Sequence, residues 1–517
     1  MPSHSQQQPA DVPDDSENDS PTDYSERVLK GSSSVFSGSM IAKVIGFALN
    51  LVLARALGPN YFGMYSLGLT VLYVFREIGT LGLQNGVVRY GSPEYEQGDL
   101  SKLKGTFLST GGLGVAASTV LGIGLFTAAP WLAERFFANA EYTFVLRVFA
   151  CGLPFYVLTY LIARMARALG QMHVDVFLWG ILQPAAFLFL TGALVLTNQG
   201  FEAILYAFVA STVIAAVTSV YALIRLFPDL LSALSPTFDV RALLRFSLPI
   251  VGVSLASIGL TYTDRLMLGV FSTSESIGIY QAAAKWATQL RFVLYAVTAS
   301  FSPVISDLYH NDKREDLADL YATTVRWIVV LTLPVALAII IFAPQFMSIY
   351  GAEYTAGGNV LRVLAGAYLI VAGVGSVGQM LQMSDHQDFV LGLNVSMVAL
   401  NVLLNWILIQ WYGVIGAAIA TGLTQALSNV IEIIALYLFL DIHPFRSALW
   451  KPTGAAAAAG LVGWGLFVAL PAPFHWLTGL PALAAVYAAV IFGLGLHPRD
   501  QSIVTSYWAE VRAYVRG

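Results

Sequence analysis

The stretch SVFSGSMIAKVIGFALNLVLARALGPNYFGMYSLGLTVLYVFREIGTLGLQNGVV, residues 34–88, reads as two apolar helices joined at Gly58-Pro59-Asn60. Each arm holds about 20 predominantly apolar residues, the length that crosses a hydrocarbon layer roughly 30 Å thick. Lys43, Arg76 and Glu77 lie inside these arms. A charge there costs at least about 2.5 kcal/mol unless it faces a cavity or a partner. The fold class and the first clue to function therefore come from the same 55 residues.

The same pattern fills the chain. Of 517 residues, 57% are hydrophobic and only 11% charged, and the mean hydropathy is +0.69. Soluble domains carry roughly 25% charged residues, so the composition indicates an all-α polytopic membrane protein. The short alternating segments of an outer-membrane barrel are absent. About fourteen spans are expected, near 34–57, 65–88, 107–133, 144–165, 175–197, 203–226, 244–270, 278–303, 324–349, 360–383, 389–410, 414–440, 449–470 and 476–496. The net charge of −4 comes mostly from the N-terminal stretch and says little about partners. A single cysteine, Cys151, excludes a disulfide framework within the chain.

Residues 1–32 read as a disordered acidic cytoplasmic tail, with neither the basic nor the apolar region of a signal peptide. Loops on the side of that tail hold Arg89, Lys102, Lys104, Arg164, Arg167, Arg241, Arg245, Lys313 and Arg314, whereas the opposite loops hold only Arg135. Cytoplasmic loops favour Lys and Arg, so both termini are expected in the cytoplasm, in a multi-pass protein of the plasma (cytoplasmic) membrane. The outer connections, such as Gly58–Asn60, Asn198–Gly200 and Trp411–Gly413, are too short to form a domain.

The two halves echo each other. Gly63-Met64-Tyr65 recurs as Gly278-Ile279-Tyr280, an offset of 215 (278 − 63). His173-Val174-Asp175 recurs as His386-Gln387-Asp388, and Gly200 as Gly413, both at 213 (386 − 173 and 413 − 200). Six spans per repeat give two lobes of the same orientation, related by an axis along the membrane normal and flanking a cleft. The expected units are a tail (1–32), an N-lobe (33–230), a C-lobe (231–442), two further helices (443–497) and a cytoplasmic C-terminal tail (498–517).

Helical spacing gathers the polar residues into stripes. They are Ser39, Lys43, Gly46 and Asn50; Tyr73, Arg76/Glu77, Thr80 and Gln84; Ser254, Ser257, Thr261 and Asp264; Gln281, Lys285 and Gln289; Asn394, Asn401 and Asn405; and Thr421, Gln425, Ser428 and Glu432. Lipid-facing surfaces do not carry such stripes cheaply, so they face protein or water. The bland alternative is interhelical packing, the better account of the three asparagines. Arg147 has the option of a carbonyl or headgroup, Arg55 and Arg265 of snorkelling, and Asp264 of pairing with Arg265. Arg76 and Glu77, as sequence neighbours, are not expected to face each other. Lys43, Arg76, Lys285 and Arg291 together exceed what packing requires and suggest a cavity for an anion. There is no phosphate-binding loop for nucleotide hydrolysis, no Cys/His spacing of a metal site and no call for a cofactor. His173 and His386 read as solvated caps at loop turns.

The segment Lys43-x-x-Gly46 … Ala54-Arg55-Ala56-Leu57-Gly58-Pro59-x-x-Phe62-Gly63-x-Tyr65 resembles the opening of Wzx-type polysaccharide-biosynthesis flippases of the multidrug/oligosaccharidyl-lipid/polysaccharide exporter superfamily. The likeness in layout extends over roughly residues 33–440. It implies a two-lobed bundle of twelve or fourteen helices with a cationic central cavity. It also implies outward flipping of a polyprenyl-phosphate- or diphosphate-linked oligosaccharide by alternating access, without catalysis. Substrate contacts then fall to Lys43, Arg76, Lys285, Arg291, Asn50 and Arg55, of which Lys43 and Arg55 match the opening motif position by position. Asp264, Glu77 and Glu432 are the carboxylates available to couple a proton or sodium ion. An inside-negative potential helps an anion leave by about 2.3 kcal/mol per charge per 100 mV. Membrane lipid and glycosyltransferases of the same pathway are the implied neighbours, and no nucleic acid is. A cation-coupled multidrug antiporter of the same superfamily is the first alternative, though it usually carries a carboxylate where this chain has Lys43. A lipid-linked sugar polymerase or ligase is the second, and would need a larger outer loop.

Overall fold

The computed structural model describes residues 21–311, 313–442, 449–471 and 474–494; among these the chain is almost wholly helical and has no β-strand. The first unit is built from α1 (Pro21–Gly79), α2 (Leu83–Glu96), α3 (Leu100–Arg135), α4 (Glu141–Ala168), α5 (Met172–Asp175), a π-helical stretch (Val176–Leu182), α6 (Gln183–Leu196) and α7 (Phe201–Leu226). A linker leads to α8 (Val240–Phe271), α9 (Ser274–Thr288), α10 (Arg291–His310), α11 (Arg314–Ile341), α12 (Ala343–Ser348), a 3-10 turn (Ala352–Gly357), α13 (Gly358–Val374), α14 (Val377–Met383) and α15 (Gln387–Leu440). Helices α16 (Trp450–Ala469) and α17 (Phe474–Gly493) follow.

Eleven helices among the described residues are long and apolar enough to cross a membrane. Two of these segments, Gly38–Gly79 and Gln387–Leu440, are each bent back on themselves by one glycine. Gly58 (φ 66°, ψ 172°) and Gly413 (φ 58°, ψ −134°) take backbone angles that a side chain disfavours, and Pro59 disfavours helical geometry in the residue before it. Two of the three connections named as short are thus single-residue breaks, and the third is the loop 197–200 between α6 and α7.

Other breaks were not expected. The span read at 65–88 is interrupted between Gly79 and Leu83, that at 278–303 at Gln289–Leu290, and that at 360–383 at Gly375 (φ 73°). At Gly82 the cause is close packing, since a Cβ there would lie 2.0 Å from the Ser247 carbonyl oxygen. The span read at 324–349 ends at Ile341, and α12 with the 3-10 turn forms a small cap in place of a bare connection. Among the described residues α1 runs from Pro21, inside the stretch read as a tail. Residues 1–20 and 498–517 lie outside the described residues.

Helices α1–α7 pack mainly on one another, α3 on α4, α4 on α7 and α1 on α4 and α6. Helices α8–α15 form a second bundle, with α13 in contact with α9, α11 and α15. Helices α16 and α17 pair and lean on α11, as an appendage. The bundles meet where α1 touches α8 and α9 and where α2 touches α8. One hydrophobic cluster runs through this seam from Tyr65, Phe149 and Phe208 to Tyr280, Tyr350 and Tyr354.

Candidate functional site

The repeat determines how the seam closes. Gly63 and Gly278, the first residues of the two Gly-x-Tyr motifs, lie against each other. A Cβ on Gly63 would fall 1.7 Å from the Ser274 carbonyl oxygen, and one on Gly278 2.0 Å from that of Pro59. Only glycine permits this approach of two helix backbones. Further bonds cross the seam at this end, here called the Gly58 end. The Tyr354 hydroxyl donates to the Ala54 carbonyl (3.0 Å), Arg55 Nε donates to that of Ile349 (2.8 Å), and the Tyr142 and Ser274 hydroxyls are 2.9 Å apart. Arg55 therefore ties the bundles together at this end.

The offset of 215 also relates Arg76 to Arg291 (291 − 76), and the two sites differ in one respect. Arg76 points into the first bundle, its guanidinium over Tyr160 (4.9 Å), Tyr73 and Trp179 (both 5.5 Å). The π-helical stretch carries Trp179 there; such stretches cost regular hydrogen bonding and often mark functional segments. Arg76 Nη2 lies 2.9 Å from Glu77 Oε2, and Glu77 Oε1 accepts from Gln84 at 2.8 Å. The expectation that Arg76 and Glu77 face apart is thus wrong. Helix α1 ends three residues after Arg76, and the rings hold its guanidinium beside the neighbouring carboxylate. Glu77 is 5% exposed, which makes this a closed ion pair.

Arg291 has phenylalanine where Arg76 has Glu77. It stacks over Tyr295 (5.1 Å) and Tyr368 (5.6 Å), and its Nε, like that of Arg76, has no hydrogen-bond partner among the described residues. Exposed Lys43 reaches across from α1 to the same place, 4.4 Å over Phe292 and 5.8 Å over Tyr295. The ammonium of half-buried Lys285 makes no hydrogen bond or ion pair among the described residues.

Arg291 borders a cavity of about 440 Å³ inside the second bundle. It runs from Asp264 and Tyr280, in from the Gly58 end, to Gln382 and Val390 beside the α14–α15 turn. Three stripes read from the sequence converge on it: Ser257, Thr261 and Asp264; Asn394; and Thr421, Gln425, Ser428 and Glu432. Asp264 is 8% exposed and accepts from the Tyr280 hydroxyl and the Arg265 backbone N–H. Glu432 has no partner among the described residues. The lining holds two cations, Arg265 and Arg291, and two carboxylates, so any positive excess comes from Lys43 and Lys285 beside it.

Other candidates lie elsewhere. Asn50 donates to the Gly46 carbonyl of its own helix (2.7 Å). Asn401 is buried glue, donating to Thr424 Oγ1 (3.3 Å), whereas buried Asn405 donates back to the Asn401 carbonyl of its own helix (2.9 Å). The repeated histidine motif has diverged. Asp175 is clasped by Arg164 (3.0 Å) and Arg167 (2.9 Å), whereas Asp388 is exposed. His173 is exposed as expected, but His386 stacks on Phe439 at 4.4 Å. Sequence reasoning missed Tyr295, Tyr368, Gln379 and Gln382. Gly375-Ser376, a break signal inside an apolar run, was the only pointer to the last two.

Residues 52–357 match the polysaccharide biosynthesis protein family, more than half the chain. The chain belongs to that family. The chain is also similar to two proteins of Haloferax volcanii. "Probable flippase AglR" is 24% identical over 490 residues, covering 92% of this chain and 98% of the relative. "Probable low-salt glycan biosynthesis flippase Agl15" is 26% identical over 308 residues, 59% of this chain, and the match spans only 62% of that relative. Among solved structures, the lipid II flippase MurJ in an inward closed conformation superposes with a TM-score of 0.67 at 13% identity, covering 88% of this chain and 97% of MurJ. An inward-facing multidrug MATE transporter of the MOP superfamily gives 0.64 at 16% identity, covering 80% and 99%. At these identities the structural likeness establishes the fold alone. The family fold accounts for the two bundles, and its chemistry is left to the residues above.

Proposed function

We propose that the protein flips a polyprenyl-phosphate- or diphosphate-linked oligosaccharide from the inner to the outer leaflet. The single observation that carries the reading is the group formed by Lys43 and Arg291 around Tyr295, at the rim of a polar cavity and without an acidic partner among the described residues. Cations left unneutralised within a membrane bundle need an anion, and a lipid phosphate enters from the side while its tail stays in the bilayer. Lys285 adds charge nearby; Arg76, neutralised by Glu77, serves the first bundle's structure. The names of the curated relatives support a lipid-linked glycan as cargo.

In this reading the units are the N-lobe (33–230), the C-lobe (231–442) and the appended pair (443–497). Fourteen crossings follow when the helices broken at Gly58 and Gly413 count twice and α9–α10 count as one more. The Gly58 end then faces outward, both termini are cytoplasmic, and the seam at Gly63 and Gly278 is the closed outer gate of an inward-facing state. Rocking of the lobes would open it. Asp264 and Glu432 are the carboxylates in position to couple a proton or sodium ion.

The test is export of lipid-linked glycan in cells carrying Lys43→Gln or Arg291→Gln at unchanged protein level. Losing one charge-assisted phosphate contact, about 1.5–3 kcal/mol, lowers affinity roughly 10- to 100-fold. Full export by both variants refutes the assignment. Drug-resistance profiling of the same strains separates this reading from a multidrug antiporter.

A further inference from the structure

Four amides in the cavity, on Gln379, Gln382, Asn394 and Gln425, have no protein hydrogen-bond partner among the described residues. Each presents one acceptor oxygen and two donor hydrogens. They come from α14, from α15 before Gly413 and from α15 after it, so they converge from three directions. The same bundle satisfies other amides within the protein. Asn405 donates to the Asn401 carbonyl at 2.9 Å and Asn429 to that of Gln425 at 2.7 Å. In those two residues the amide N–H groups are paired within the protein, whereas in the cavity set neither the N–H groups nor the oxygens are paired among the described residues. Gln379, Asn394 and Gln425 are half-buried and Gln382 is exposed, so this wall of the cavity is reachable from outside and its free amides are open to a ligand that pairs them.

Apolar drugs and lipid tails offer nothing to these groups. Vicinal sugar hydroxyls do, because each both donates and accepts, and an amide bridges two of them. Ser428 adds a hydroxyl to the same wall, and Glu432 adds acceptors that would repel an acidic sugar. Arg291, over Tyr295 and Tyr368, holds the cationic rim of this cavity. The volume of about 440 Å³ admits a short saccharide.

We infer that this cavity in the second bundle is the glycan subsite, taking neutral sugar residues next to the phosphate, with Gln379, Gln382, Asn394 and Gln425 as specificity determinants. The inference rests on the flippase reading above and assigns its sugar recognition to one bundle.

The experiment measures binding to the full chain in lipid nanodiscs. The probes are lipid-linked oligosaccharide extracted from membranes of the source organism and sugar-free polyprenyl phosphate. The natural protein should bind the glycosylated lipid at least about tenfold more tightly. Gln379→Leu combined with Gln425→Leu, and separately Asn394→Leu, should erase that difference while sugar-free binding stays unchanged, which also shows that the variants are folded. Equal binding of both lipids by the natural protein, or a preference surviving in the variants, overturns the subsite and leaves the flippase reading intact. Binding of neither lipid by the natural protein overturns both.

Discussion

Replacing Gly63 by alanine tests whether the two repeats are held shut at their Gly-x-Tyr motifs. The added methyl would lie 1.7 Å from the Ser274 carbonyl oxygen, where ordinary contact begins near 3.4 Å. The atom in the way is backbone and no rotamer relieves it, so α1 and α9 must part by up to 1.7 Å (3.4 − 1.7). Overpacking of this kind costs about 1–3 kcal/mol. Separation of the seam removes the clash, so the cost falls on the closed state alone. The equilibrium between closed and open Gly58 ends should shift roughly 5- to 150-fold toward open. Spin labels on Asn60→Cys and Glu275→Cys, both exposed, would report the distance across the seam once Cys151 is replaced by serine. Gly63→Ala should broaden and lengthen that distance and lower the thermal midpoint. Gly278→Ala should do the same, and the double variant should fall short of the sum because one widening relieves both clashes. An unchanged distance distribution with an unchanged midpoint refutes the reasoning.

Two further outcomes follow from the contacts. Arg76→Met strands the Glu77 carboxylate and should cost about 3–5 kcal/mol, with much of it recovered in Arg76→Met/Glu77→Gln, as read by thermal unfolding in detergent. A purely substrate-binding Arg76 would show no such rescue. Tyr354→Phe removes the hydroxyl bond to Ala54 and should cost about 0.5–1.5 kcal/mol, with a lengthened distance between the Asn60 and Glu275 labels.

Fold class was legible because apolar length and glycine breaks act locally. Gly58-Pro59 and Gly413 read as turns in sequence and are turns in space. The breaks at Gly82 and Gly375 were not legible, because their causes are distant: Ser247 on α8 lies against one and Val325 on α11 against the other. The cap at Ala343–Gly357 merged with an apolar span, since its buried Tyr350 and Tyr354 look like membrane residues. Polar stripes predicted that side chains converge but not in which bundle. Spacing on one helix places Gln425 and Glu432 on a common face, yet only packing brings Gln379 and Asn394 opposite them. Charge was the least reliable guide. Of the four cations grouped from sequence, Arg76 turns out to be paired, through a neighbour that helical geometry had argued against.

The repeat turns that last point into a test of why the bundles differ. Arg76 and Arg291 occupy equivalent positions, each on a broken helix and each stacked on aromatic rings. What separates them is the next residue, Glu77 in one and Phe292 in the other. Phe292→Glu would give Arg291 the neutralising neighbour that Arg76 has, and would set a carboxylate beneath the Lys43 ammonium as well. At an effective dielectric constant near 20, opposite charges about 4 Å apart attract by about 4 kcal/mol, enough to displace a phosphate competing for the same cations. Affinity for sugar-free polyprenyl phosphate should fall roughly 10- to 100-fold. Phe292→Gln, which removes the ring without adding charge, should lose far less. If both variants weaken binding equally, the aromatic ring and not the free charge is what the site requires. If the glutamate variant binds as well as the natural protein, the absence of an acidic neighbour at this position is not what distinguishes the second bundle.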